Sequence, residues 1–417
     1  MHDDLPTIAI IGAGPIGLEA TLYARYLGYP VTLFEKGDTA AHVREWEHVP
    51  MFSPFGMNSS SLGISAIQAQ NPSHVMPEAD QTHTGKEWID QYLEPLAKSD
   101  LVRPCLRAKN RVLAVGRDTA HQRPTDSRED APFRILVSDE TETQRIEHAD
   151  IVIDTSGSWG HPNPMGMGNI YAVGESPDLK EQLPDKTKLQ RGIPDLAKLE
   201  ISKGARFAII GSGFSAATNV LQLKTLQEHS PDIRGVWLTR GRGAATGPLA
   251  VLENDALPQR DALARAANAV ANDSSWLEWK PEVEVTEIQC LEECFQLTLS
   301  NDEQIEVEYL IGNTGSTGDF EMLSGLQIHR CYVSGGPMAW AASMADASSD
   351  CLQQTSPGPE AIKTTEPNCF IIGSKAYGND PRFLFATGLQ QIRDVFKVIA
   401  ERDTLDLYAT LKPNLST

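Results

Sequence analysis

The stretch that most constrains this chain is Ile8-Ala9-Ile10-Ile11-Gly12-Ala13-Gly14-Pro15-Ile16-Gly17. A short apolar run passes at once into G-x-G-x-x-G, a helical pattern follows, and a second apolar run, Val31-Thr32-Leu33-Phe34, ends in Glu35. Each part has a physical job in a strand–turn–helix–strand unit that binds a dinucleotide. Gly12 permits the tight turn out of the strand, Gly14 lets the backbone approach a pyrophosphate, and Gly17 lets the helix pack close to the strand. Free N–H groups at the helix start, around Pro15 and Ile16, face the phosphates, where the helix dipole favours negative charge. Glu35, with Lys36 beside it, ends the next strand, where a carboxylate accepts hydrogen bonds from ribose hydroxyls.

The 417 residues suffice for two to three domains. A formal charge of -20 argues against nucleic acid or an anionic membrane as partner, because no basic surplus exists to neutralise phosphates. The acidic start lacks a basic flank and apolar core, so no signal peptide is expected. No apolar run approaches the roughly 20 residues of a membrane span. Six scattered cysteines suit a reduced, cytoplasmic setting, and no metal ligands are expected.

Leu18, Leu22 and Tyr26 recur at helical spacing after Gly17, and Gly28 with Pro30 ends that helix. Residues 40–65 read as an irregular segment too apolar for plain surface, and Trp46, Ser53 and Asn58 lie in it. Thr84 and Glu87 form a capping box for a helix with Trp88, Tyr92, Leu93 and Leu96 on one face, a core face. Runs at 111–115, 133–137 and 151–153 read as strands. The polar stretch 116–132 reads as a hairpin loop, expected to be mobile. The third run leads into Asp154-Thr155-Ser156-Gly157, and a Pro/Gly/Asp-rich connector runs to about residue 203.

The opening pattern then returns. Strand 206–210 enters Gly211-Ser212-Gly213-Phe214-Ser215-Ala216, the G-x-G-x-x-A variant, and a helix with Val220, Leu221, Leu223 and Leu226 follows. Strand 235–239 ends in Arg240, where the first copy has Glu35. Runs at 283–288, 295–299 and 305–311 end in Gly312-Asn313-Thr314-Gly315. The chain thus holds two copies of one plan. The tail adds a strand, Asn368 to Ser374, and a helix start at Ala386-Thr387-Gly388 whose N-terminus suits negative charge on a bound ring.

These residues resemble the flavoproteins with two dinucleotide-binding domains, which include flavin-containing monooxygenases, disulfide reductases and thioredoxin reductases. The resemblance rests on Gly12/Gly14/Gly17 with Glu35, the Asp154–Gly157 turn, Gly211/Gly213/Ala216, the Gly312–Gly315 turn and the tail strand. It implies an α/β protein of two three-layer Rossmann-like domains, each with an inserted antiparallel β-meander. Residues 1–165 and 316–417 would hold FAD through the first glycine motif, Glu35, Lys36, Trp46, Gly157, Gly373, Ser374, Thr387 and Gly388. Residues 166–315 would hold the nicotinamide nucleotide. The family has Gly-Asp where this chain has Gly373-Ser374, and its C-x-x-C or C-x4-C pair is missing; only Cys290-x-x-x-Cys294 comes near it. The F-x-G-x-x-x-H signature of the nearest monooxygenase classes is also absent before Gly211.

Arg240, with Arg242 close by, suits a 2′-phosphate, so NADPH is expected rather than NADH. The resemblance then implies a flavin monooxygenase-like enzyme that uses NADPH and O₂ on a small-molecule substrate. Asn58 is the candidate polar contact near the flavin C4a edge, with Ser53 and Trp46 as weaker candidates. The alternatives are a reductase serving a quinone, thiol or carrier protein, with Cys351 to be tested, and a slow-turnover flavin-binding protein. The sequence sets neither the substrate nor the oligomeric state.

Overall fold

The computed structural model describes residues 5–119, 121–122, 128–345, 347–348 and 350–410. The acidic start at residues 1–4 and part of the 116–132 loop lie outside the described residues. The chain forms two compact units, Met1–His161 with Thr317–Thr417, and Pro162–Ser316. The boundaries expected from sequence fall at 165/166 and 315/316.

The strands of the first unit are β1 (Ile8–Ile11), β2 (Val31–Phe34), β3 (Leu106–Arg107), β4 (Arg111–Arg117), β5 (Phe133–Ser138), β6 (Gln144–Ala149) and β7 (Ile151–Asp154). Five strands pair in parallel in the order tail strand Cys369–Ile371, β7, β1, β2, β3. The other three, β4–β5–β6, form an antiparallel meander. Strand β1 is buried on both faces, as a parallel sheet covered on two sides requires. Ile8 and Ile10 pack with Leu18 and Leu22 of α1 (Pro15–Tyr26), while Ala9 and Ile11 pack with Phe133, Ile135 and Val137 of the meander. In register, Ile11 lies opposite Phe34 and Asp154, and Ile371 lies opposite Asp154. The carboxyl ends of four strands therefore line up along one edge, where open α/β sheets bind ligands.

Several expectations are corrected here. Tyr26 is 51% exposed rather than part of the core stripe. Positions four apart drift about 40° around a helix, so two such steps carry Tyr26 off the face of Leu18. Strand β6 was not expected, because its Gln-Arg-Ile-Glu-His-Ala has the polar pattern of a half-exposed edge. The segment 40–65 is not wholly irregular: helix α2 (Ser61–Gln70) starts inside it, with Ser60 accepting from Gly63 N–H as its cap. The capping box at Thr84 and Glu87 is present, and Trp88, Tyr92, Leu93 and Leu96 are buried. That helical track widens to a π turn over Ile89–Leu93, just before Pro95, whose ring disfavours an ordinary α turn there.

In the second unit the strands are β8 (Leu189–Arg191), β9 (Arg206–Ile210), β10 (Arg234–Thr239), β11 (Leu277–Pro281), β12 (Val285–Cys290), β13 (Phe295–Leu299), β14 (Gln304–Val307) and β15 (Tyr309–Gly312). The parallel order is β11–β10–β9–β15–β8, and β12–β13–β14 form a second meander. Helices α3 (Phe214–His229) and α4 (Pro258–Asp273) cover the sheet. The run at 305–311 is two strands, not one. It breaks at Glu308, where the chain passes from the meander to the sheet and the Glu308 carboxylate accepts from the Arg206 amide at 2.6 Å. Helix α4 was also missed, as was β8, a short strand inside the expected connector. Both units are Rossmann-like three-layer α/β folds with an inserted meander, the class the sequence pattern implies.

One buried carboxyl stands out in the first unit. Glu19 of α1 is fully enclosed and accepts hydrogen bonds from Tyr92, from Ser60 Oγ at 2.9 Å and from Tyr408 Oη at 3.4 Å. Burial, partly offset by the Tyr92, Ser60 and Tyr408 hydroxyls, pushes it up from 4.5 to about 7. Its folded value lies above its unfolded value, so folding holds a proton that the unfolded chain releases. Stability therefore falls as pH rises from about 4.5 to about 7 and levels off above that. Glu19→Gln removes this penalty. Thermal melts should show the variant gaining on wild type by on the order of 3 kcal/mol between pH 4.5 and pH 8, with little difference at the acid end.

Candidate nucleotide-binding sites

The first site is built where β1 turns into α1. Gly12 has φ +102°, and a Cβ there would lie 2.9 Å from the Ser156 Cα. A Cβ on Gly17 would collide with the Gly12 carbonyl oxygen and sit 2.7 Å from Thr155 Oγ1. At Gly14 a Cβ would meet nothing within 4 Å. Two of the glycines are thus required by the protein's own packing, while Gly14 borders open space. No side chain caps α1, so the amides of its first turn keep their donors for a ligand.

Glu35 is buried at the end of β2. Its Oε2 accepts from Ala13 N–H at 2.7 Å and its Oε1 from Gly37 N–H at 2.8 Å. Each oxygen keeps a further lone pair for a hydroxyl donor. Lys36 is exposed, and its Nζ lies 3.3 Å from where a Gly160 Cβ would be. Gly157 has φ +73°, and a Cβ on it would meet Ser374 Oγ at 3.4 Å, so Ser374 faces the turn after β7. Gly388, in the first turn of the tail helix Phe385–Ile399, packs against Ile16, where a Cβ would clash with the isoleucine side chain. Thr387 is buried beside it, and that helix too has no side-chain cap. The structure thus gathers Gly12 to Gly17, Gly157, Gly373, Ser374, Thr387 and Gly388 at one edge of the sheet.

The loop candidates are placed differently. Asn58 is 3% exposed, and its carboxamide is spent on its own loop. Its Nδ2 donates to Ser53 Oγ at 2.8 Å, Ser53 O at 3.0 Å and Pro54 O at 3.1 Å, and its Oδ1 pairs with Ser53 Oγ. The Asn58 carbonyl accepts from the Trp88 indole at 2.8 Å. The Trp46 ring packs against Gly85, where a Cβ would approach it to 2.9 Å. These three residues shape the loop.

Sequence reasoning treated Asp154-Thr155-Ser156 as a turn only. Thr155 Oγ1 donates to Ile11 O at 2.9 Å and Gly12 O at 2.8 Å, so it fixes the glycine turn directly. Asp154 Oδ1 accepts from Ser156 N–H at 2.9 Å, and Asp154 Oδ2 pairs with Lys375 at 2.5 Å. The one available signal was a run of polar residues closing an apolar strand.

The second site repeats the design. Gly211 has φ +127° and leaves no room for a Cβ against Asn313 O. Gly213 borders open space, Ala216 is fully buried, and α3 starts at Phe214 and Ser215 without a side-chain cap. The Trp237 indole donates to Gly211 O at 2.7 Å. Arg240 is exposed at the end of β10 and makes no ion pair among the described residues, whereas Arg242 pairs with Glu282 at 3.3 Å. Cys290 and Cys294 are free thiols on the second meander, and burial pushes both up. Cys351 is a half-buried cysteine, in no disulfide, in a short 3₁₀ turn of the first unit. Among the described residues no cluster of three or more His, Cys, Asp or Glu could hold a metal, and no helix is long and apolar enough to cross a membrane.

No family model matches the sequence, and no curated protein matches it. Solved structures do match over nearly the whole chain. Bacillithiol disulfide reductase Bdr (YpdA) from Bacillus cereus is 17% identical, with 95% of this chain and 99% of that chain covered and a TM-score of 0.64. The ornithine N-hydroxylase KtzI of Kutzneria sp. 744 is 14% identical, with 96% and 100% covered and a TM-score of 0.62. Thioredoxin reductase of T. acidophilum is 16% identical, with 98% and 99% covered and a TM-score of 0.54. The resemblance to two-domain Rossmann-type flavoproteins read from the glycine motifs therefore holds for the fold.

Substitutions at the first motif separate packing from binding. Gly17→Ala should lose about 3 kcal/mol of stability, because backbone must move to admit the methyl group. Gly14→Ala, at φ -78° and ψ -175°, should stay within about 0.5 kcal/mol of wild type and still lose dinucleotide affinity. Thermal melts and nucleotide titrations of both variants check this contrast.

Proposed function

We propose that the chain is an FAD-dependent oxidoreductase reduced by NADPH, acting as a flavin monooxygenase on a small molecule. FAD belongs to the Gly12–Gly17 site and NADPH to the Gly211–Ala216 site. The observation that carries this reading is the matched pair of glycine cradles, each open at its middle glycine and each opening an uncapped helix, with a carboxylate at one strand end and an exposed guanidinium, without an ion pair among the described residues, at the other. A carboxylate suits ribose hydroxyls and would repel a 2′-phosphate, which a guanidinium attracts.

The residues fit FAD. The Ile16 and Gly17 amides at the positive end of α1 take the pyrophosphate. Glu35 takes the ribose, and the Ser374 hydroxyl beside Gly157 stands in for the acid that the family carries after the tail glycine. The uncapped N-terminus of the tail helix favours negative charge on the ring. When bound, FAD supplies hydride acceptance and reactivity toward O₂. Asn58 and Ser53 brace the neighbouring loop. The Kutzneria ornithine N-hydroxylase, solved with reduced FAD, NADP⁺ and L-ornithine, and the FAD-bound cadaverine monooxygenase DfoA of Erwinia amylovora support this reading.

One observation favours a thiol-linked reductase instead. The Ser334 and Val333 amides and the Ser334 hydroxyl hold the Cys331 thiol below its usual range. Its loop sits on the residues just after the short helix Ser374–Tyr377: Asn379 N–H donates to Ser334 O at 2.8 Å and Asn379 Nδ2 to Val333 O at 2.9 Å.

Anaerobic titration with NADPH should bleach the flavin. Readmitted O₂ should then be consumed in proportion to a hydroxylated product when the right small molecule is present. Failure to reduce with either nicotinamide nucleotide sinks both enzyme readings. Electron transfer only to disulfides, abolished by Cys331→Ser, establishes the reductase. Arg240→Ala should raise KM for NADPH about tenfold and leave NADH nearly unchanged; equal effects on both would refute the 2′-phosphate role.

A further inference from the structure

The Lys375 ammonium is buried at a place that neither packing nor the glycine motifs require. Its side chain and that of Asp154 are both fully buried. Lys375 Nζ donates to Asp154 Oδ2 at 2.5 Å and to Ser156 Oγ at 3.1 Å, and lies 4.8 Å from the Phe320 ring centroid. Its stem passes so close to Gly318 that a Cβ there would lie 2.7 Å from Lys375 Cγ. The chain reaches this position because Gly373, at φ +76°, turns the tail strand sharply into the short helix Ser374–Tyr377.

Burying two charges is costly unless both are paired and their remaining valences are filled. Here they are filled toward the candidate FAD site. Asp154 Oδ1 holds the Ser156 amide, and Lys375 holds the Ser156 hydroxyl. Ser156 in turn packs on Gly12, and Thr155 hydrogen-bonds to the carbonyls of Ile11 and Gly12. An unbroken series of direct contacts therefore runs from the tail, through the pair, to the glycine turn. A pair serving packing alone could be replaced by two apolar side chains. This one grips Ser156 by both its amide and its hydroxyl, and Ser156 with its neighbour Thr155 fixes where the glycine turn sits.

We propose that Lys375, through its ion pair with Asp154, is a positioning residue for FAD: it holds the turn Asp154–Gly157 against Gly12 and so sets the shape of the pyrophosphate cradle. This rests on the reading of Gly12–Gly17 as the FAD site.

The test uses full-length protein stripped of flavin, with FAD added back. Lys375→Met and Asp154→Leu each leave one buried charge without its partner and should lower the melting temperature of the apoprotein markedly. The double variant Lys375→Met/Asp154→Leu removes both charges and should recover most of that loss. Its FAD dissociation constant should nevertheless stay raised by about tenfold, with the fine structure of the bound flavin's visible band blurred. Ser156→Ala keeps the pair intact, removes only the hydroxyl that Lys375 reaches, and should weaken FAD binding severalfold with apoprotein stability preserved. It carries the test if the double variant does not fold. FAD affinity at the wild-type level in a stable double variant, or in Ser156→Ala, would overturn the proposal. Failure of the wild type itself to bind FAD would overturn the cofactor reading, and this proposal with it.

Discussion

The carbonyl oxygen of Gly12 is the point on which the first unit depends. Thr155 donates to it, α1 packs so close that no Cβ fits at Gly17, and the Ser156 backbone closes the other side. A strand, a turn and a helix can meet at that separation only if two positions lack side chains. Once they do, the first-turn amides of α1 are left at the sheet edge with no side-chain cap among the described residues. The second unit reaches the same end by other means. There the Trp237 indole takes the Gly211 carbonyl, and Asn313 closes in from the last central strand.

Buried charge does the corresponding work elsewhere in the first unit. Glu366, fully enclosed, accepts from Arg117 at 2.8 Å, from Arg128 at 2.7 Å and from the Gln327 amide at 2.7 Å. It thereby ties β4 and the loop before β5 to the segment that leads into the tail strand. With Lys375 and Asp154, the tail is held at both ends of its strand by groups that tolerate little displacement, because a buried charge that loses its partner is strongly destabilising. Such fastenings specify a register more sharply than apolar contact does, since apolar surfaces can slide.

The glycine motifs, the strands that enter them and the repeated plan were legible because they rest on short-range rules: strand periodicity, the conformational freedom of glycine and helix start signals. The elements missed were those whose sequence is dominated by their surroundings. Strand β6 is polar because it lies half in water, and β3 and β8 are too short to show a period. Helix α4 has an apolar stripe made largely of alanine, including the buried Ala264 and Ala267, which carries little hydrophobic contrast. Within the site, Glu35 and Ser374 could be found by position. Lys375 could not, since a lysine after a turn reads as surface until the fold encloses it. Asn58 was legible as a loop residue, but its direction was not, because that depended on Ser53 and Pro54 accepting its protons.

The pairing of the tail strand with β7 has a bearing on the birth of the protein. Cys369 must find Val152 across more than two hundred intervening residues, whereas the whole of the second unit lies within that interval. As the chain emerges from the ribosome, the second unit can close while the first still has an open sheet edge at β7, with Asp154 awaiting its lysine. During that interval the apolar Ile151-Val152-Ile153 is an unsatisfied edge of the kind that invites pairing with other chains. The discontinuous plan therefore makes the emergence of the strand Cys369–Ile371 the moment at which the first unit stops being a hazard and becomes a fold.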